Sequence, residues 1–424
     1  MVGNGGSAVS GARRGLIQVR GRRVSKVLVA FGVFGVAAGS VGVAAALTGP
    51  PAGVSSGAVS AGSFAPEIPL PGGAHKGAAG LNGLACDVGT TCLAAGASAA
   101  GDGALARSLD GGKTWTAVHL PSGVRELNDV ACPSGSDCVA VGAGAVLAST
   151  DSGSTWGRRS DPVPSADLLS VACATSSVCV AVGAKAGTVG FSGVLLRSTD
   201  AGANWSTLST PGYADQALGG VVCPTSTTCI AVGNDIVVST DAGKTWAYRP
   251  VTGGMQSLRS IACATPTHCV AIGPNALAGE VPGVAAFAVE TTDGGNTWAA
   301  VRMPKGSGSL DALSCSSTTS CDAVGGGSAV GLAPVGFVSS DGGHGWQPAP
   351  APSALGSVAA LVCSNSVKRC VAVGRQATGL GAGWAPAGGS GPWAGEAVGG
   401  PPPQTASSGS SGASSPPAGT SGGV

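Results

Sequence analysis

The 424-residue sequence has little charge and few tyrosines, glutamates or histidines. Its 22 basic and 21 acidic side chains leave a formal net charge of +1, so no global field recruits nucleic acid or acidic partners. A phosphate loop is also missing. "STDAGKTW" (239–246) and "SLDGGKTW" (108–115) contain Gly-Lys-Thr, but the glycine that would let backbone N–H groups cradle an anion is replaced by Val238 and Arg107. What the chain has in excess is glycine, 74 residues, which without periodicity would indicate disorder. Periodicity therefore decides the fold.

The first 26 residues carry Arg13, Arg14, Arg20, Arg22, Arg23 and Lys26 with no acidic residue, a basic segment assigned to the cytoplasm. The apolar run 27–47 follows and is long enough for a membrane-crossing helix. The small residues Ala44, Ala45 and Ala46 equally suit a cleaved signal peptide, so anchor and signal both stand. Residues 48–62 read as a flexible linker and 399–424, rich in Pro, Ser and Gly, as a disordered tail. The folded part is 63–398.

Fourteen cysteines form seven close pairs: Cys86/Cys92, Cys132/Cys138, Cys173/Cys179, Cys223/Cys229, Cys263/Cys269, Cys315/Cys321 and Cys363/Cys370. Zinc sites need tighter pairs with further ligands nearby, and His75, His119, His268 and His344 do not accompany the pairs as such a site requires. No metal and no cofactor is expected. Each first cysteine ends an apolar segment ("LNDVAC", 127–132) and each second opens another ("CVAVG", 138–142), so each pair predicts a disulfide across a hairpin. Seven such bridges imply an oxidising, extracytoplasmic address.

A second motif recurs six times, with acidic and aromatic residues at Asp110/Trp115, Asp151/Trp156, Asp200/Trp205, Asp241/Trp246, Asp293/Trp298 and Asp341/Trp346. Apolar residues flank each copy, as around a hairpin turn; the carboxylate can bond the turn's own N–H groups and the glycine can take positive φ. The Trp is expected to cover its hairpin with a large apolar face. The pattern S/T-x-D-x-G-x-T-W resembles the Asp-box, or bacterial neuraminidase repeat, of sialidase-like β-propellers. In that family the box is a structural turn between the third and fourth strands of a blade. The resemblance implies an all-β propeller of four-stranded blades; the seven cysteine pairs make the blades seven, with one hairpin disulfide in each, behind one transmembrane or signal helix.

Spacing separates two faces. From each box Asp to the next first cysteine the count is 22, 22, 23, 22, 22 and 22; from each second cysteine to the box Asp it is 18, 13, 21, 12, 24 and 20. Length therefore varies between the second and third strands, on the face opposite the disulfides and boxes, and insertions gathered on one face of a repeat array mark a binding surface. The longest are 183–194, 273–290 and 325–336. Closure of the seventh repeat has two candidates, "FAPEIPLP" (64–71) and "APAGGSGPWAGEAV" (385–398), the second a box without its Asp.

Whole-chain organisation resembles the photosystem II assembly-factor-like propellers, which implies a non-catalytic protein-binding or assembly role. The disulfide in every blade and the C-terminal tail depart from photosynthetic members. Expected partners are an extracytoplasmic protein or a cell-wall component, and the membrane through the N-terminal helix, with no nucleic acid. A sialidase-like hydrolase is the alternative, but it needs converging arginines and a Tyr/Glu pair. The chain offers two tyrosines, no Arg-Ile-Pro before the first box and five glutamates. A carbohydrate-binding module would need exposed aromatics, for which Tyr213, Phe191 and Phe287 are the candidates. Binding candidates on the variable face are Arg125, Glu126, Tyr213, Asp215, Arg259 and Lys305. Asn128, Asp129, Arg259 and Asp311 are placed to line a central channel.

Overall fold

The computed structural model describes residues 80–386, apart from 88–89, 99, 188–189, 212–216, 252–256, 275–284, 327–333, 353–354, 365–368 and 377–378. The basic segment, the apolar run, the linker and the C-terminal tail all lie outside the described residues. Among the described residues no helix is long and apolar enough to cross a membrane, so the expected N-terminal helix has no support here.

Each repeat folds as an antiparallel meander. The first blade comprises β1 (Gly80–Cys86), β2 (Cys92–Ala97), β3 (Gly103–Ser108) and β4 (Thr116–Val118), and the second β5 (Leu127–Ala131), β6 (Cys138–Gly142), β7 (Ala145–Ser149) and β8 (Gly157–Arg158). The third is β9 (Ala166–Cys173), β10 (Cys179–Ala186), β11 (Phe191–Ser198) and β12 (Ser206–Leu208). The fourth is β13 (Leu218–Val222), β14 (Cys229–Gly233), β15 (Ile236–Ser239) and β16 (Ala247–Arg249). The fifth is β17 (Ser260–Cys263), β18 (Cys269–Gly273), β19 (Phe287–Thr291) and β20 (Ala299–Ala300). The sixth is β21 (Ala312–Cys315), β22 (Cys321–Gly325), β23 (Val335–Ser339) and β24 (Gln347–Ala349). The last sheet has three strands, β25 (Ser357–Ser364), β26 (Arg369–Gln376) and β27 (Gly379–Pro386).

Among the described residues this sheet has three strands where four are expected, and the sequence differs there from the other repeats. In the other sheets the second cysteine pairs with the box hydroxyl residue, as Cys92 with Ser108 and Cys269 with Thr291. In the last sheet Cys370 pairs with Ala385. Counting on from Ala385 puts Ala387 in the Asp place, so the hydroxyl and carboxylate that organise the turn into a fourth strand are both missing. The two sequence candidates for closing this blade, 64–71 and 387–398, lie outside the described residues. The ring nevertheless closes, because Val371 and Val373 of β26 share a core with Leu81, Leu84 and Trp115 of the first blade.

All seven disulfides form within their pairs, with Cα separations of 3.9–4.1 Å, slightly shorter than the cross-strand spacing expected. They agree with an oxidising, extracytoplasmic environment. Every second strand reaches glycine four residues after its cysteine, at Gly96, Gly142, Gly183, Gly233, Gly273, Gly325 and Gly374. A Cβ at any of them would collide with the backbone of the blade's first strand, such as the Glu126 carbonyl at Gly142. This close approach lets the innermost strand bulge toward the axis.

The boxes build one repeated device. In the fourth blade the Ser239 hydroxyl donates to Asp241 Oδ1 (2.8 Å) and accepts the Gly243 N–H (2.8 Å). Asp241 also accepts the Thr245 N–H (2.9 Å) and hydroxyl (2.7 Å), and Trp246 Nε1 donates to the Gly243 carbonyl (3.1 Å). The Ala242 N–H reaches the Thr227 carbonyl in the cysteine turn of the same blade (2.7 Å). Equivalent bonds recur in the other boxes, for example Gly111 to Thr90 and Gly342 to Thr319, so cysteine turns and box turns share one bonded face. Lys244 is exposed. The stretch that superficially resembled a phosphate grip is a turn whose N–H groups already have acceptors.

The remaining boxes seat their tryptophans in the same way. Nε1 of Trp115, Trp156, Trp205, Trp298 and Trp346 donates to the carbonyl of Gly112, Gly153, Gly202, Gly295 and Gly343, at 3.0, 3.0, 3.0, 3.1 and 2.8 Å respectively. Their rings reach further than the expected cover for one hairpin, because each also packs on the preceding blade. Trp156 joins Leu93 and Ala95 of the first blade, Trp205 packs against Val139 and Val141 of the second, and Trp298 joins Ile230 and Val232 of the fourth. Trp115, Trp156, Trp298 and Trp346 are buried at these junctions, while Trp205 and Trp246 are half-buried. A box tryptophan is thus a core residue shared by two blades.

Each box glycine also touches the preceding blade. With φ between 76° and 111°, Gly112, Gly153, Gly202, Gly243, Gly295 and Gly343 lie against Val371, Leu93, Val139, Val180, Ile230 and Val270, each the residue after a second cysteine. In the sixth blade that place is taken by Asp322, 3 % exposed, and the following blade has no box to cover it. Asp322 Oδ2 lies 3.6 and 3.8 Å from the sulfurs of Cys363 and Cys370, which as a disulfide carry no proton to donate. Burial pushes its carboxyl up to about 6.

Two outcomes follow from these turns. Hydrogen bonding holds all six box carboxyls, Asp110, Asp151, Asp200, Asp241, Asp293 and Asp341, below their ordinary range. At Asp151 the Thr155 hydroxyl and N–H lower it to about 2; at Asp241 burial opposes, yet the bonds from Thr245, Ser239 and Lys244 still bring it to about 2. A lowered native pKa adds stability above about pH 4 that is lost as pH falls toward 2. Asp241→Ala should therefore cost about 1–2 kcal/mol in urea unfolding at pH 7 and much less at pH 2.5. Asp322 has the opposite sign: its raised pKa removes stability as pH rises from about 4 through about 6. Asp322→Asn should gain on the order of 2 kcal/mol at pH 8 and almost nothing at pH 4, read by the same titrations. A gain independent of pH would show that the Asp322 carboxyl titrates in the folded chain as it does in the unfolded one.

Candidate functional site

The innermost strands enclose a central cavity of about 630 Å³. Its wall is built from residues three and four positions before each first cysteine, including Asn82, Asn128, Asp129, Ser170, Arg259 and Asp311. Because these strands bulge inward, polar side chains can turn sideways and bond the next blade. Asn82 Nδ2 donates to Glu126 Oε1 (2.8 Å) and to the Leu127 carbonyl (3.1 Å); Asn128 Nδ2 donates to Asp167 Oδ1 (2.7 Å) and the Leu168 carbonyl (2.8 Å). The blade-to-blade register is thus repeated in amide straps. Trp156, Trp205 and Trp298, like the other box tryptophans and the box aspartates, take no part in the cavity wall.

Asp129 extends the same logic. It accepts the Ser170 hydroxyl (2.9 Å), the Val171 N–H (2.9 Å) and the adjacent Val130 N–H (2.8 Å). Burial outweighs these bonds and pushes its carboxyl up to about 6. Across the channel, Arg259 Nη1 donates to Asp311 Oδ1 at 2.6 Å, linking the fifth and sixth blades; the Arg259 side chain is 54 % exposed. The fourth blade places Gly219 and Gly220 here, where an added Cβ would crowd the Leu258 and Arg259 carbonyls. The cavity wall therefore carries amide and carboxylate straps between the first three blades and an ion pair between the fifth and sixth.

Connections between second and third strands meet those between successive blades on one face. Asp102 bridges Arg125, Gly103 N–H reaches the Val124 carbonyl, Gly144 N–H the Ala166 carbonyl and Leu258 N–H the Gly233 carbonyl. Of the sequence candidates, exposed Arg125 and half-buried Glu126 lie together on this face beside Asp167. Asp167 is raised by burial and by the Glu126 charge, against the Asn128 bond and Arg125. Arg259 lies on the channel wall. Lys305 is exposed in the connection into the sixth blade, beside the turn in which the Ser307 hydroxyl donates to the Pro304 carbonyl. Tyr213 and Asp215 lie outside the described residues.

Insertion 183–194 is not a loop but a ladder: β10 and β11 extend it to the pair Ala186–Phe191. Phe191 is exposed at its end, whereas Phe287 packs into the core between the fourth and fifth blades. Most of 273–290 and 325–336 lies outside the described residues. Sequence reading passed over Asn82 and Asp167, which only the register between blades connects to Glu126 and Asn128. It also separated three residues that the fold brings together on the box face, His268, Glu290 and His344.

No protein-family model and no curated protein matches the chain. Solved structures do resemble it. The GH74 enzyme of Niastella koreensis aligns with a TM-score of 0.53 at 14 % identity, covering 78 % of this chain and 55 % of that one. YCF48 from Cyanidioschyzon merolae gives 0.52 at 17 %, covering 74 % and 97 %. A streptogramin B lyase gives 0.54 at 9 %, covering 72 % and 93 %. The chain thus spans about half the length of that GH74 enzyme. At these identities the likeness establishes the β-propeller fold, which hydrolases, a lyase and YCF48 share.

Proposed function

We propose that the chain is a non-catalytic extracytoplasmic scaffold that binds a protein segment on the face where the channel opens and the connections vary. It is held at the membrane by residues 27–47 or released after their cleavage. The observation that carries this reading is the division of labour between the two faces. Disulfides, box turns and their mutual N–H bonds occupy one, leaving its turn groups already bonded. The other carries the connections of variable length, the half-exposed Arg259 with Asp311, and Arg125 with Glu126.

An exposed arginine at a channel mouth suits the carboxylates or carbonyls of an extended peptide, since its planar fork can exchange one acceptor for another. A solved neighbour of similar size, "YCF48 bound to D1 peptide", aligns with a TM-score of 0.50 at 18 % identity and supplies a peptide-bound example of the fold. The hydrolase alternative has less support: the channel carboxylates Asp129 and Asp311 are engaged by Ser170 and Arg259, and glutamates are few.

Arg259→Glu and Lys244→Glu test the division. Both substitutions reverse one exposed charge, on opposite faces. Capture of extracytoplasmic proteins by the purified full chain should fall at least tenfold for Arg259→Glu and stay unchanged for Lys244→Glu, with equal melting temperatures. Undiminished capture by Arg259→Glu, or release of reducing sugar from cell-wall polysaccharide by the wild type, would overturn the reading.

A further inference from the structure

We propose that His268, Glu290 and His344 form a site for one divalent transition-metal ion, of the zinc type, bridging the fifth and sixth blades. His268 ends the fifth cysteine turn, directly before Cys269; Glu290 lies on β19; His344 lies in the sixth box, between Asp341 and Trp346. Glu290 Oε2 stands 3.2 Å from His268 Nε2 and 2.6 Å from His344 Nδ1. The imidazoles stack with centroids 4.3 Å apart and planes 25° off parallel. One atom from each residue falls within 4.8 Å of both others.

The meeting follows from the repeat. The residue before the box hydroxyl on the third strand meets the next blade's box in the third, fourth and fifth blades. In the third blade that residue is Arg197, whose Nε donates to the Ala242 carbonyl (2.8 Å); in the fourth it is Val238, against Gly295. In the fifth it is Glu290, and the next box offers His344. His268 joins from the cysteine turn of Glu290's own blade. Space for its ring comes from Gly342, where an added Cβ would press on its Cε1 and Nδ1 at 3.1 Å.

The donor set decides the chemistry. Two imidazole nitrogens and one carboxylate oxygen suit zinc, copper or nickel and not the all-oxygen shells of calcium or magnesium. Bonds of 2.0–2.2 Å in a tetrahedron set neighbouring donors about 3.3 Å apart. The His268–Glu290 spacing already meets this, and the His344–Glu290 spacing needs about 0.7 Å of opening, within reach of a side chain that is 47 % exposed. A metal would replace the protons through which both rings bond the same carboxylate oxygen. Three protein donors leave a fourth position for water or for a donor atom of a partner.

Supports are rigid, as a preformed site requires. The His268 N–H donates to Thr265 Oγ1 (2.9 Å), its neighbour closes a disulfide, and Glu290 pairs with Val270 in the ladder. His344 is carried by a turn whose Asp341 and Trp346 are both bonded. Binding would tie the cysteine turn of one blade to the box of the next.

The test is calorimetric titration of the chelator-treated full chain with zinc chloride at pH 7.5. One ion per chain is expected, with a raised melting temperature. His344→Gln and Glu290→Gln should each weaken affinity at least tenfold, and His119→Gln, remote from the cluster, should leave it unchanged. Electron paramagnetic resonance of the copper-loaded wild type, which needs no variant to fold, should show two imidazole nitrogens. No binding up to millimolar zinc, wild-type affinity in folded His344→Gln, or a copper signal without imidazole nitrogen would overturn the site.

Discussion

The contact between a box glycine and the apolar residue after the preceding blade's second cysteine fixes how the blades sit against one another. Its geometry requires two things at once: a left-handed turn, which the Ser and Asp of the box hold by accepting and donating hydrogen bonds, and a missing side chain, which lets the turn lie on its neighbour. The same turn delivers the Trp, whose Nε1 bonds the glycine carbonyl while its rings cover the junction, as Trp156 does over Leu93 and Trp298 over Ile230. Six junctions use this contact, including the one where Gly112 rests on Val371 and closes the ring. At the remaining junction Asp322 replaces the apolar residue and the following sheet has no box. There the Cys363–Cys370 disulfide, and not a box turn, covers the residue, so Asp322 stays buried at a cost in stability.

This constraint also divides the molecule for function. Box turns must bond cysteine turns, and both must meet neighbouring blades, so that face tolerates little change in length or composition. Connections on the other side carry no such requirement beyond a few N–H bonds to the next blade, and there the spacing varies. Polar residues on the channel wall follow a third rule. Asn82, Asn128 and Asp129 point to the next blade and are consumed by strapping; Arg259, bonded to Asp311 at a more exposed position, retains donors for a ligand.

Strands, disulfides and boxes were legible because each is a local pattern repeated at nearly constant spacing: a cysteine pair marks one hairpin, and Ser-x-Asp-x-Gly marks the next. The tryptophans were legible as hairpin covers, but the second blade on which Trp156, Trp205 and Trp298 rest was not, because that partner lies a whole repeat away. The last sheet was half legible, since its missing Asp could be seen but the place of Ala385 opposite Cys370 needed the register. The pairing inside insertion 183–194 was illegible because spacing reports its length and not its partners; Ala184, Lys185 and Ala186 continue the ladder to Phe191. Polar residues that meet across a junction were illegible for the same reason as the tryptophan contacts. Asn82 and Glu126, or His268 and His344, lie in different repeats, and nothing within either repeat says which positions face each other.

Once the register between blades is known, those meetings become readable from sequence. The residue before the box hydroxyl runs Arg107, Ala148, Arg197, Val238, Glu290 and Val338, and at Arg197, Val238 and Glu290 it meets the box of the following blade. Small and apolar occupants need no partner there. Arg197 and Glu290 each find a group in the next turn, whereas the buried Arg107 Nε has no hydrogen-bond partner. Arg197 finds a carbonyl, which every box can offer; a carboxylate can use only donors, and carbonyls repel it. Glu290 therefore requires a donor from its surroundings, and the two nearest are imidazoles, side chains that can give up their protons to a metal without leaving the carboxylate unbonded.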